Sequence, residues 1–410
     1  MSDLLQVDEA IKQILRGLRR LNNEIIDLSV AHGRVLAEDI VADSDLPPFD
    51  NSAMDGFAVR AADSGTQVSL RVVMDIPAGK VATRSLAMGE AARIMTGAPI
   101  PSGADAVIPV EDTDADFAGI PEQALPEMVT LKRPVQAGAA IRKAGENIQR
   151  GDLILRPGML LGAPEIGMLA SLGRTHMTVV RRPRVALLSS GDELVAINQI
   201  PAAGQIRDSN SYALAALIDA DGGVAMRQGI AADTPNALRT LFQETLSQAP
   251  DMIVSTAGVS VGAADHVRGV LEEIGEIGFW RINLRPGKPL AFGQIKGVPF
   301  FGLPGNPVSA MVTYLVLVRP ALLALAGKQT PLPTIRAIVN ETMHSDGRRT
   351  YARVRLHQDG ERWLAEETGT QSSGAHLSMV LADGLLVIPE DIRTIEKGTE
   401  LDVILLKPLQ

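Results

Sequence analysis

Apolar residues recur at helical spacing near the start of the chain. Over residues 7–21 they fall on one face of a predicted amphipathic helix. The members of this face are Val7, Ala10, Ile11, Ile14, Leu15 and Leu18. A stripe of this kind has to pack on another part of the protein, and we expect it to pack with residues 151–180.

The pattern between these two parts is mainly β. Residues 49–143 show short alternating runs, such as 68–74 and 92–95, which glycine and proline turns separate. Residues 151–180 hold strand-like pieces around a small helix near 164–172. We therefore predict that the β region is inserted between the two halves of one N-terminal unit.

After residue 184 the pattern changes to an alternation of strand, loop and helix. Strand-like runs at 185–188, 224–227 and 252–255 alternate with helical patterns at 211–220 and 235–247. This alternation predicts a parallel sheet with helices on both faces. Beyond residue 333 the chain returns to alternating runs, which predict a small all-β domain with strands at 335–339, 351–356, 363–366, 384–388 and 401–405.

These patterns predict a multidomain fold of α/β and β parts. A split N-terminal linker domain takes residues 1–46 and 144–180, and the mainly β domain at 47–143 is inserted in it. A central α/β domain covers residues 181–328, and a C-terminal β domain covers residues 329–410. The length of 410 residues agrees with two to four domains of roughly 100 to 200 residues each.

Composition and charge exclude several classes of function and of binding site. The net charge of −9 argues against attraction to nucleic acid or to an anionic membrane surface. The absence of cysteine removes disulfides, thiolate metal sites and cysteine nucleophiles, and it is compatible with a cytoplasmic location. The first residues carry no export signal, and no run of about 18 apolar residues is apparent, so we expect no membrane span.

Three polar loops follow strand-like runs between residues 251 and 310, where open α/β sheets bring backbone donors to anionic ligands. The first loop ends at Asp265, which we expect to open a helix at 266–271. It holds the hydroxyls and glycines of a ligand loop, namely Ser255, Thr256, Gly258, Ser260 and Gly262.

The second loop sets Arg285 and Lys288 three residues apart across Pro286 and Gly287. This rigid bend can aim both cations into one space, where an anion is the natural third party. Pro289 follows the second cation directly.

The third loop predicts a helix start. Gly305 admits close approach of the backbone, and Asn306 with Pro307 has the chemistry of a cap and first turn for a helix at 308–326. Each of the three loops could also be a simple turn from strand to helix. Their occurrence within about 60 residues favours a site for a polyanion.

A further polar segment follows the first strand of the α/β region. It combines small residues, paired carboxylates and a helix start: Ser189, Ser190, Gly191, Asp192, Glu193, Asp208, Ser209 and Asn210. Carboxylates beside a phosphate-binding loop would repel the ligand unless a hard divalent cation lies between them, so we infer Mg²⁺. Alternatively, Asp208 or Ser209 simply caps a helix, as Asp233 could do before the helix at 235–247.

Two polar segments of the predicted β region are open to two interpretations. Asp55 stands in the segment LPPFDNSAMDGFAV, and Thr96 stands in IMTGAPIPSGADAV. These residues could line a site, or they could belong to tight turns.

Together these segments resemble the molybdopterin molybdenumtransferase family, which includes the MoeA proteins of bacteria and the E domain of gephyrin. The motifs occur in family order over nearly the whole chain: PPFDNSAMDGFA, IMTGAPIPSGADAV, AGENI, SSGDEL, DSN, AGVSVGAAD, RPGKPLAFG and GLPGNPVSA. Where the family usually has KPGKP, this chain has RPGKP, so Arg285 keeps the charge on a forked, planar donor. Asn147 stands where the family often has Asp.

The resemblance implies four domains, an elongated homodimer and a central domain similar to the MogA adenylyltransferases. It also implies the reaction, in which molybdate is inserted into the dithiolene of adenylylated molybdopterin with Mg²⁺-dependent loss of AMP. The product is molybdenum cofactor, so other proteins of cofactor biosynthesis and apo-molybdoenzymes are possible partners.

The resemblance further implies roles for individual residues. The catalytic group is Asp55, Thr96, Glu193, Asp265 and Lys288, with Asn147 and Asp233 as further polar positions. Beyond the resemblance, we hypothesise that Mg²⁺ is held by carboxylates such as Asp208, Glu193 and Asp265. The substrate-binding group is Ser189, Gly191, Asp208, Ser209, Asn210, Gly258, Ser260, Gly262, Arg285, Pro289, Gly305, Asn306 and Pro307. The last domain is expected to reach across the dimer to the cleft with Arg348, Ser372 and Ser373.

Other functions are compatible with the same residues. One is the preceding reaction, adenylylation of molybdopterin with ATP. Another is a gephyrin-like scaffold without turnover. Tungstate has nearly the size and charge of molybdate, so the sequence does not distinguish the two metals.

Overall fold

The computed structural model describes residues 4–116, 125–256 and 264–409, without the side chains of residues 264–268 and 279. These residues form two compact units. The first unit comprises residues 1–37, 158–166 and 176–410, and the second comprises residues 38–157 and 167–175.

The first unit is built around a six-stranded sheet. The strand order is Val224–Ala231, Arg184–Ser190, Met252–Ser255, Val298–Gly302, Pro289–Ile295 and Gly275–Arg281. The first four strands run parallel, as predicted, and the last two add an antiparallel edge. Lys296 and Gly297 both have positive φ between two of these strands, the conformation of a two-residue hairpin turn.

Helices cover both faces of this sheet, as predicted. Helices Pro235–Ser247 and Ala264–Ile274 pack on one face, where Leu238, Phe242 and Leu271 contact Ile253 and Phe300 in one core. The other face is covered by helices Val7–Leu15 and Asn210–Ala220 and by the helical stretch Pro307–Leu325. Because both faces are buried, the parallel strands are continuously apolar instead of alternating.

The helical stretch 307–325 is interrupted by a π-helical turn. It consists of α-helix Pro307–Thr313, π-helix Tyr314–Val318 and α-helix Arg319–Leu325. Pro320 lacks an N–H, and its ring crowds the carbonyl four residues earlier, which accounts for the wider turn before it. By length and composition this stretch could span a membrane, contrary to the expectation from sequence, but 83% of its apolar window is buried inside the protein.

The N-terminal helix is shorter than predicted and packs elsewhere. It ends at Leu15, because Gly17 takes a φ of +87° and Leu18 follows outside the helix. Val7 and Ile14 are buried against helix Arg319–Leu325 and not against residues 151–180, contrary to the expectation. It is the next strand, Asn23–Asp27, that pairs with His176–Val180.

The C-terminal part of the first unit is a small closed β structure, as its alternating pattern predicted. Neighbouring strands in this sheet have the order Arg349–Asp359, Arg362–Glu367, Thr334–Val339, Glu400–Leu405 and Gly384–Ile388. The last strand pairs with the first, which closes the sheet. The short strand Leu284–Arg285 joins this sheet parallel to Arg349–Thr350. The first unit also contains two short strand pairs and one more helix. Met343–His344 pairs with Thr394–Ile395, Leu194–Val195 pairs with Ile206–Arg207, and the helix is His376–Leu381.

The second unit is mainly β, as predicted. Its five-stranded sheet has the order Ala106–Pro109, Gly56–Val59, Glu90–Ile94, Val68–Ile76 and Met128–Leu131. Two short antiparallel pairs join Asn51–Ser52 to Ile141–Arg142 and Ile40–Val41 to Leu153–Leu155. Helix Ala163–Ser171, whose residues are divided between the two units, lies within one residue of its predicted bounds.

Candidate anion-binding active site

A cavity of about 790 Å³ lies in the first unit, where the parallel strands end. Ser190 closes one strand, Thr256 follows the next and Gly305 follows the third, and all three line the cavity. The carboxyl ends of parallel strands are where open α/β sheets bind ligands. Described residues of the predicted polar loops thus line one cavity at the expected edge of the sheet.

The second predicted loop, called the cation loop below, forms one wall of this cavity through Arg285, Lys288 and Pro289. Leu284–Arg285 is held by its pairing with Arg349–Thr350, and the Ile282 N–H donates to the Lys288 carbonyl over 2.7 Å. Gly287 has a φ of +115°, and a Cβ atom there would lie 2.3 Å from Thr313 Oγ1. Only glycine fits this bend without displacing a neighbour.

The C-terminal β structure forms the adjoining wall within the same chain. Arg348 lines the cavity and donates from Nη1 to the Leu284 carbonyl over 3.0 Å. Ser372 and Ser373 also line it, and Ser373 accepts a hydrogen bond of 2.9 Å from Asn306 Nδ2. These three residues, which were expected to reach the cleft across a dimer, line the cavity of their own chain.

Asn306 occupies the position before helix Pro307–Thr313, but its side chain does not cap that helix. Its amide group instead links the helix to the loop that carries Ser373. The Val308 N–H adds a second link of 3.1 Å to the Ser373 carbonyl. The side chain therefore positions the C-terminal loop against the cavity.

The carboxylate wall is organised around Asp208, whose side chain is buried. Its Oδ2 accepts from Ser189 Oγ over 2.8 Å, and its Oδ1 accepts from the Ser211 N–H over 3.1 Å. Asp208 thus caps helix Asn210–Ala220, as the alternative interpretation proposed, and it also lines the cavity. Ser209 lines the cavity without a side-chain cap hydrogen bond, and Asn210 Nδ2 donates to the Gly305 carbonyl over 2.7 Å.

Glu193 contributes a second carboxylate to the same cavity. Its carboxylate lies against Gly191, where an added Cβ atom would approach Glu193 Oε2 to 2.5 Å. Gly191 itself lines a neighbouring cavity of about 670 Å³. The two cavities share Leu194 and Asp208, so they adjoin, and in the second one the Arg227 guanidinium lies 3.6 Å over the Tyr212 ring centre.

Electrostatically, the cavity combines four cations with two carboxylates: Arg207, Arg285, Lys288, Arg348, Glu193 and Asp208. Arg348 is also paired with Asp346. Burial opposes ionisation of Asp346, but hydrogen bonds from Arg348 outweigh it and the pKa of Asp346 stays below its ordinary value.

Arg353 supports this site from behind, and the sequence pattern did not identify it. Its side chain is 2% exposed and donates to the carbonyls of Thr370 and Ser372 over 3.4 and 3.0 Å and to Ser378 Oγ over 3.2 Å. Burial lowers the pKa of the Arg353 guanidinium to about 10, partly offset by Glu367. An arginine among buried residues of a predicted strand was the available signal.

Several predicted site residues are not among the residues that line this cavity. Asp55 and Thr96 belong to the second unit, where the Thr96 N–H and hydroxyl both donate to Asp55 Oδ1 over 2.7 Å. Asn147 belongs to the second unit as well. Asp233 precedes the helix cap Thr234, and its N–H donates to Asp192 Oδ1 over 3.2 Å.

The first loop is described only in part. Gly258, Ser260 and Gly262 lie outside the described residues. The helix after them begins at Ala264, so Asp265 lies in its first turn and not before it, while the Asp265 side chain is outside the description.

Magnesium could be held here by oxygen ligands. Within the described side chains no cluster of three or more His, Asp or Glu residues has the arrangement of a metal site. Glu193 and Asp208 nevertheless line one cavity, and Mg²⁺ is often bound by one or two carboxylates together with substrate phosphates. The donor chemistry therefore fits the ion.

Three family models match the chain in succession. Residues 5–173 match "MoeA N-terminal region (domain I and II)", residues 186–324 match "Probable molybdopterin binding domain", and residues 336–406 match "MoeA C-terminal region (domain IV)".

The chain is also similar to named enzymes along most of its length. Molybdopterin molybdenumtransferase 1 of Mycobacterium tuberculosis is 35% identical, and the alignment covers 92% of this chain and 93% of that protein. Molybdopterin molybdenumtransferase of a Nostoc species is 37% identical, with 93% and 88% covered. The crystal structure of molybdopterin biosynthesis MoeA protein from Pyrococcus horikosii matches with a TM-score of 0.80 at 32% identity, covering 99% of this chain and 100% of that chain.

Proposed function

The chain belongs to the molybdopterin molybdenumtransferase family, and from this premise we propose that it inserts molybdate into adenylylated molybdopterin with Mg²⁺-dependent release of AMP. Membership makes the chain a transferase of molybdenum cofactor biosynthesis. The observation that carries the finer proposal is the convergence of Arg285, Lys288 and Arg348 on one cavity at the carboxyl ends of parallel strands.

We assign molybdate to the two adjoining walls of the cavity that carry Arg285, Lys288 and Arg348. It is a tetrahedral dianion, so it needs donors from several directions. Lys288 supplies a compact charge, Arg285 and Arg348 supply forked donors, and Ser372 and Ser373 add hydroxyls from the C-terminal loop. The same donors suit tungstate, so the proposal covers both oxyanions.

Adenylylated molybdopterin is assigned to the remaining walls and to the adjoining cavity. Its phosphates need hydrogen-bond donors that carry no negative charge. The side-chain amides of Asn210 and Asn306, next to Gly305 in the cavity lining, are donors of this kind. One of its ring systems can lie in the second cavity beside the Arg227 and Tyr212 pair. Two adjoining cavities agree with a substrate that has ring systems on both sides of its phosphates.

Glu193 and Asp208 would hold the magnesium ion, and Asp265 is a proposed third ligand. When bound, Mg²⁺ would neutralise charge on the phosphoanhydride. Ser189 and the Ser211 N–H keep the Asp208 carboxylate in place through their hydrogen bonds. Lys288 orients molybdate toward the dithiolene, and no covalent bond to the protein is required.

A direct assay tests this function. Purified protein is incubated with adenylylated molybdopterin, molybdate and Mg²⁺, and the release of AMP and the formation of molybdenum cofactor are followed. We expect both products only when molybdate and Mg²⁺ are present. Net adenylylation of molybdopterin from ATP would support the preceding reaction instead, and absence of turnover in both assays would support a scaffold.

Glu193→Gln should raise the Mg²⁺ concentration that gives half-maximal AMP release about tenfold, because it removes one proposed ligand charge. The measurement is a Mg²⁺ titration at saturating molybdate. Asp192→Asn is the matched control, since Asp192 is the neighbouring carboxylate and lines the second cavity instead of the first. Equal Mg²⁺ dependence of Glu193→Gln and the parent protein would remove Glu193 from the metal site.

Arg353→Met should raise the KM for molybdate about tenfold with a smaller change in kcat, because the loop with Ser372 loses its charged support. Steady-state kinetics with varied molybdate measure this split. Arg355→Met is the control, since Arg355 lies on the same strand but is exposed. A loss in kcat at unchanged KM would contradict the positioning role.

The remaining proposals concern assembly and organisation. We propose a homodimer, the four-domain division predicted from sequence, catalytic roles for Asp55 and Thr96 within the second unit, and a cytoplasmic location. Light scattering of the purified protein should give twice the mass of one chain, whereas the mass of a single chain would rule out the dimer under those conditions.

A further inference from the structure

A third cavity, of about 390 Å³, lies in the first unit at the opposite edge of the central sheet. It is lined by residues that stand just before strands Arg184–Ser190 and Val224–Ala231 begin, including Arg182 and Gly222. Since parallel strands end at the catalytic cavity and begin here, the two cavities are separate. Basic side chains dominate its polar lining, namely His32, Arg34, Arg181, Arg182 and Lys328.

Two of these cations have carbonyl oxygens as partners instead of carboxylates. Arg182 donates from Nε to the Gly222 carbonyl over 3.0 Å and from Nη2 to the Gly223 carbonyl, and Lys328 Nζ donates to the Asp221 carbonyl over 3.0 Å. Across the described part of the chain, neither Arg182 nor Lys328 forms an ion pair. Their positive charge is therefore not neutralised by a direct partner.

The other cations are paired to different degrees. Arg181 makes two hydrogen bonds of 2.6 Å to the Asp251 carboxylate, so its charge is compensated. Arg34 is paired with Glu24 and also donates from Nη2 to the Val180 carbonyl over 2.8 Å. The charge of the cavity thus rests mainly on Arg182 and Lys328, with Arg34 beside them.

The nearby carboxylates cancel only part of this charge. Asp219 is the one carboxylate among the residues described as lining the cavity, and its Oδ1 accepts from the Ala225 N–H over 3.2 Å. The Asp221 carboxylate accepts from Tyr314 Oη over 2.9 Å and from Arg319 Nε over 2.7 Å. Both acids are thus already engaged by other donors.

The pKa of Lys328 is affected by the same excess of positive charge. Burial lowers the pKa of Lys328, the charge of Asp221 opposes that effect, and the charges of Arg182, Arg34 and Arg319 lower the pKa further. An anion between these cations would relieve their mutual repulsion.

Helix capping explains only part of the arrangement. The accepting carbonyls follow helix Asn210–Ala220, and cations are favourable at the C-terminal end of a helix. The hydrogen bonds of Arg182 use Nε and Nη2, and that of Lys328 uses one of its three donors. Arg182 and Lys328 therefore keep further N–H groups that can donate to a ligand. Capping of the helix alone does not require a cavity next to them.

We propose that this cavity binds a small phosphate-bearing anion, held by Arg34, Arg182 and Lys328. The phosphate group is the shared chemistry of two sources, inorganic phosphate and the phosphate of a small organic ester. The apolar part of the lining provides a place for the organic body of an ester: Val30, Val35, Val180, Ala220 and Ala326. The proposal is independent of the reaction assigned to the catalytic cavity.

Calorimetric titration of the full chain at low ionic strength tests this site, with inorganic phosphate and phenyl phosphate as probes. We expect Lys328→Met and Arg182→Gln each to weaken phosphate binding about tenfold or more. Lys80→Met, at an exposed position of the second unit, should leave it unchanged. Tighter binding of phenyl phosphate would identify an ester as the ligand, and equal binding would identify inorganic phosphate.

Protection of Lys328 provides a second measurement that needs no variant. Saturating phosphate should reduce acylation of Lys328 by an amine-directed reagent at least about threefold relative to Lys80, as read by peptide mass spectrometry. Unchanged labelling of Lys328 would overturn the proposal. Phosphate binding that is as tight in Lys328→Met and Arg182→Gln as in the parent protein would overturn it as well.

Discussion

Lys288→Ala is expected to slow molybdate-dependent AMP release about 100-fold or more. Lys288 is the compact cation of the loop, and removal of one preorganised charge from an oxyanion site typically has an effect of this size. Binding of adenylylated molybdopterin should change much less, because its phosphates are assigned to Asn210, Gly305 and Asn306 on another wall.

Single-turnover measurement of AMP release at varied molybdate, together with calorimetric titration of the adenylylated pterin, separates the two effects. Lys397→Ala, at an exposed position, removes the same charge elsewhere and should leave both quantities unchanged. Equal losses in AMP release and in pterin binding would show that Lys288 serves both substrates, and the assignment of molybdate to this wall would fail.

Gly287→Ala is expected to lower AMP release at least about tenfold by displacing the cation loop. The added methyl group would lie 2.3 Å from Thr313 Oγ1, and a φ of +115° costs a residue with a side chain about 1–3 kcal/mol. Thr313 is fully buried in the helix beneath, so the loop and not the helix is expected to move. Arg285 and Lys288 would then no longer point at one anion.

Gly269→Ala, in helix Ala264–Ile274, is the control, because no heavy atom outside its own helix lies within 4 Å of its Cβ position and its φ is not positive. Thermal unfolding of both variants separates loss of fold from loss of geometry. We expect the double variant with Thr313→Ala to remain impaired, since the backbone strain at Gly287 persists. Full recovery in that variant would assign the whole effect to the steric clash, and normal activity of Gly287→Ala would show that the bend is not needed.

The helices and strands followed from local chemistry to a large extent. The alternation of strands and helices after residue 184 predicted the parallel core and its two helical faces. The predicted helix over 7–21 was too long, because apolar spacing continues to Leu18 although Gly17 ends the helix. Its packing on helix Arg319–Leu325 involves residues about 300 positions apart, which no local pattern encodes.

By itself the sequence determined the kind of chemistry: a rigid loop with Arg285 and Lys288, glycine and asparagine loops at strand ends, and carboxylates at Glu193 and Asp208. Side-chain type and spacing are properties of the chain, so these features can be read without coordinates.

Long-range packing, in contrast, places Arg348 and Ser373 at the cavity and Arg353 behind it. Arg348 and Ser373 enter the cavity of their own chain because strand Leu284–Arg285 pairs with Arg349–Thr350 and because Asn306 binds Ser373. Pairing of distant strands depends on how whole domains pack, and the same packing buries Arg353 behind the loop. Contacts between such distant segments arise from the collapse of the complete core, which is why local patterns along the chain do not contain them.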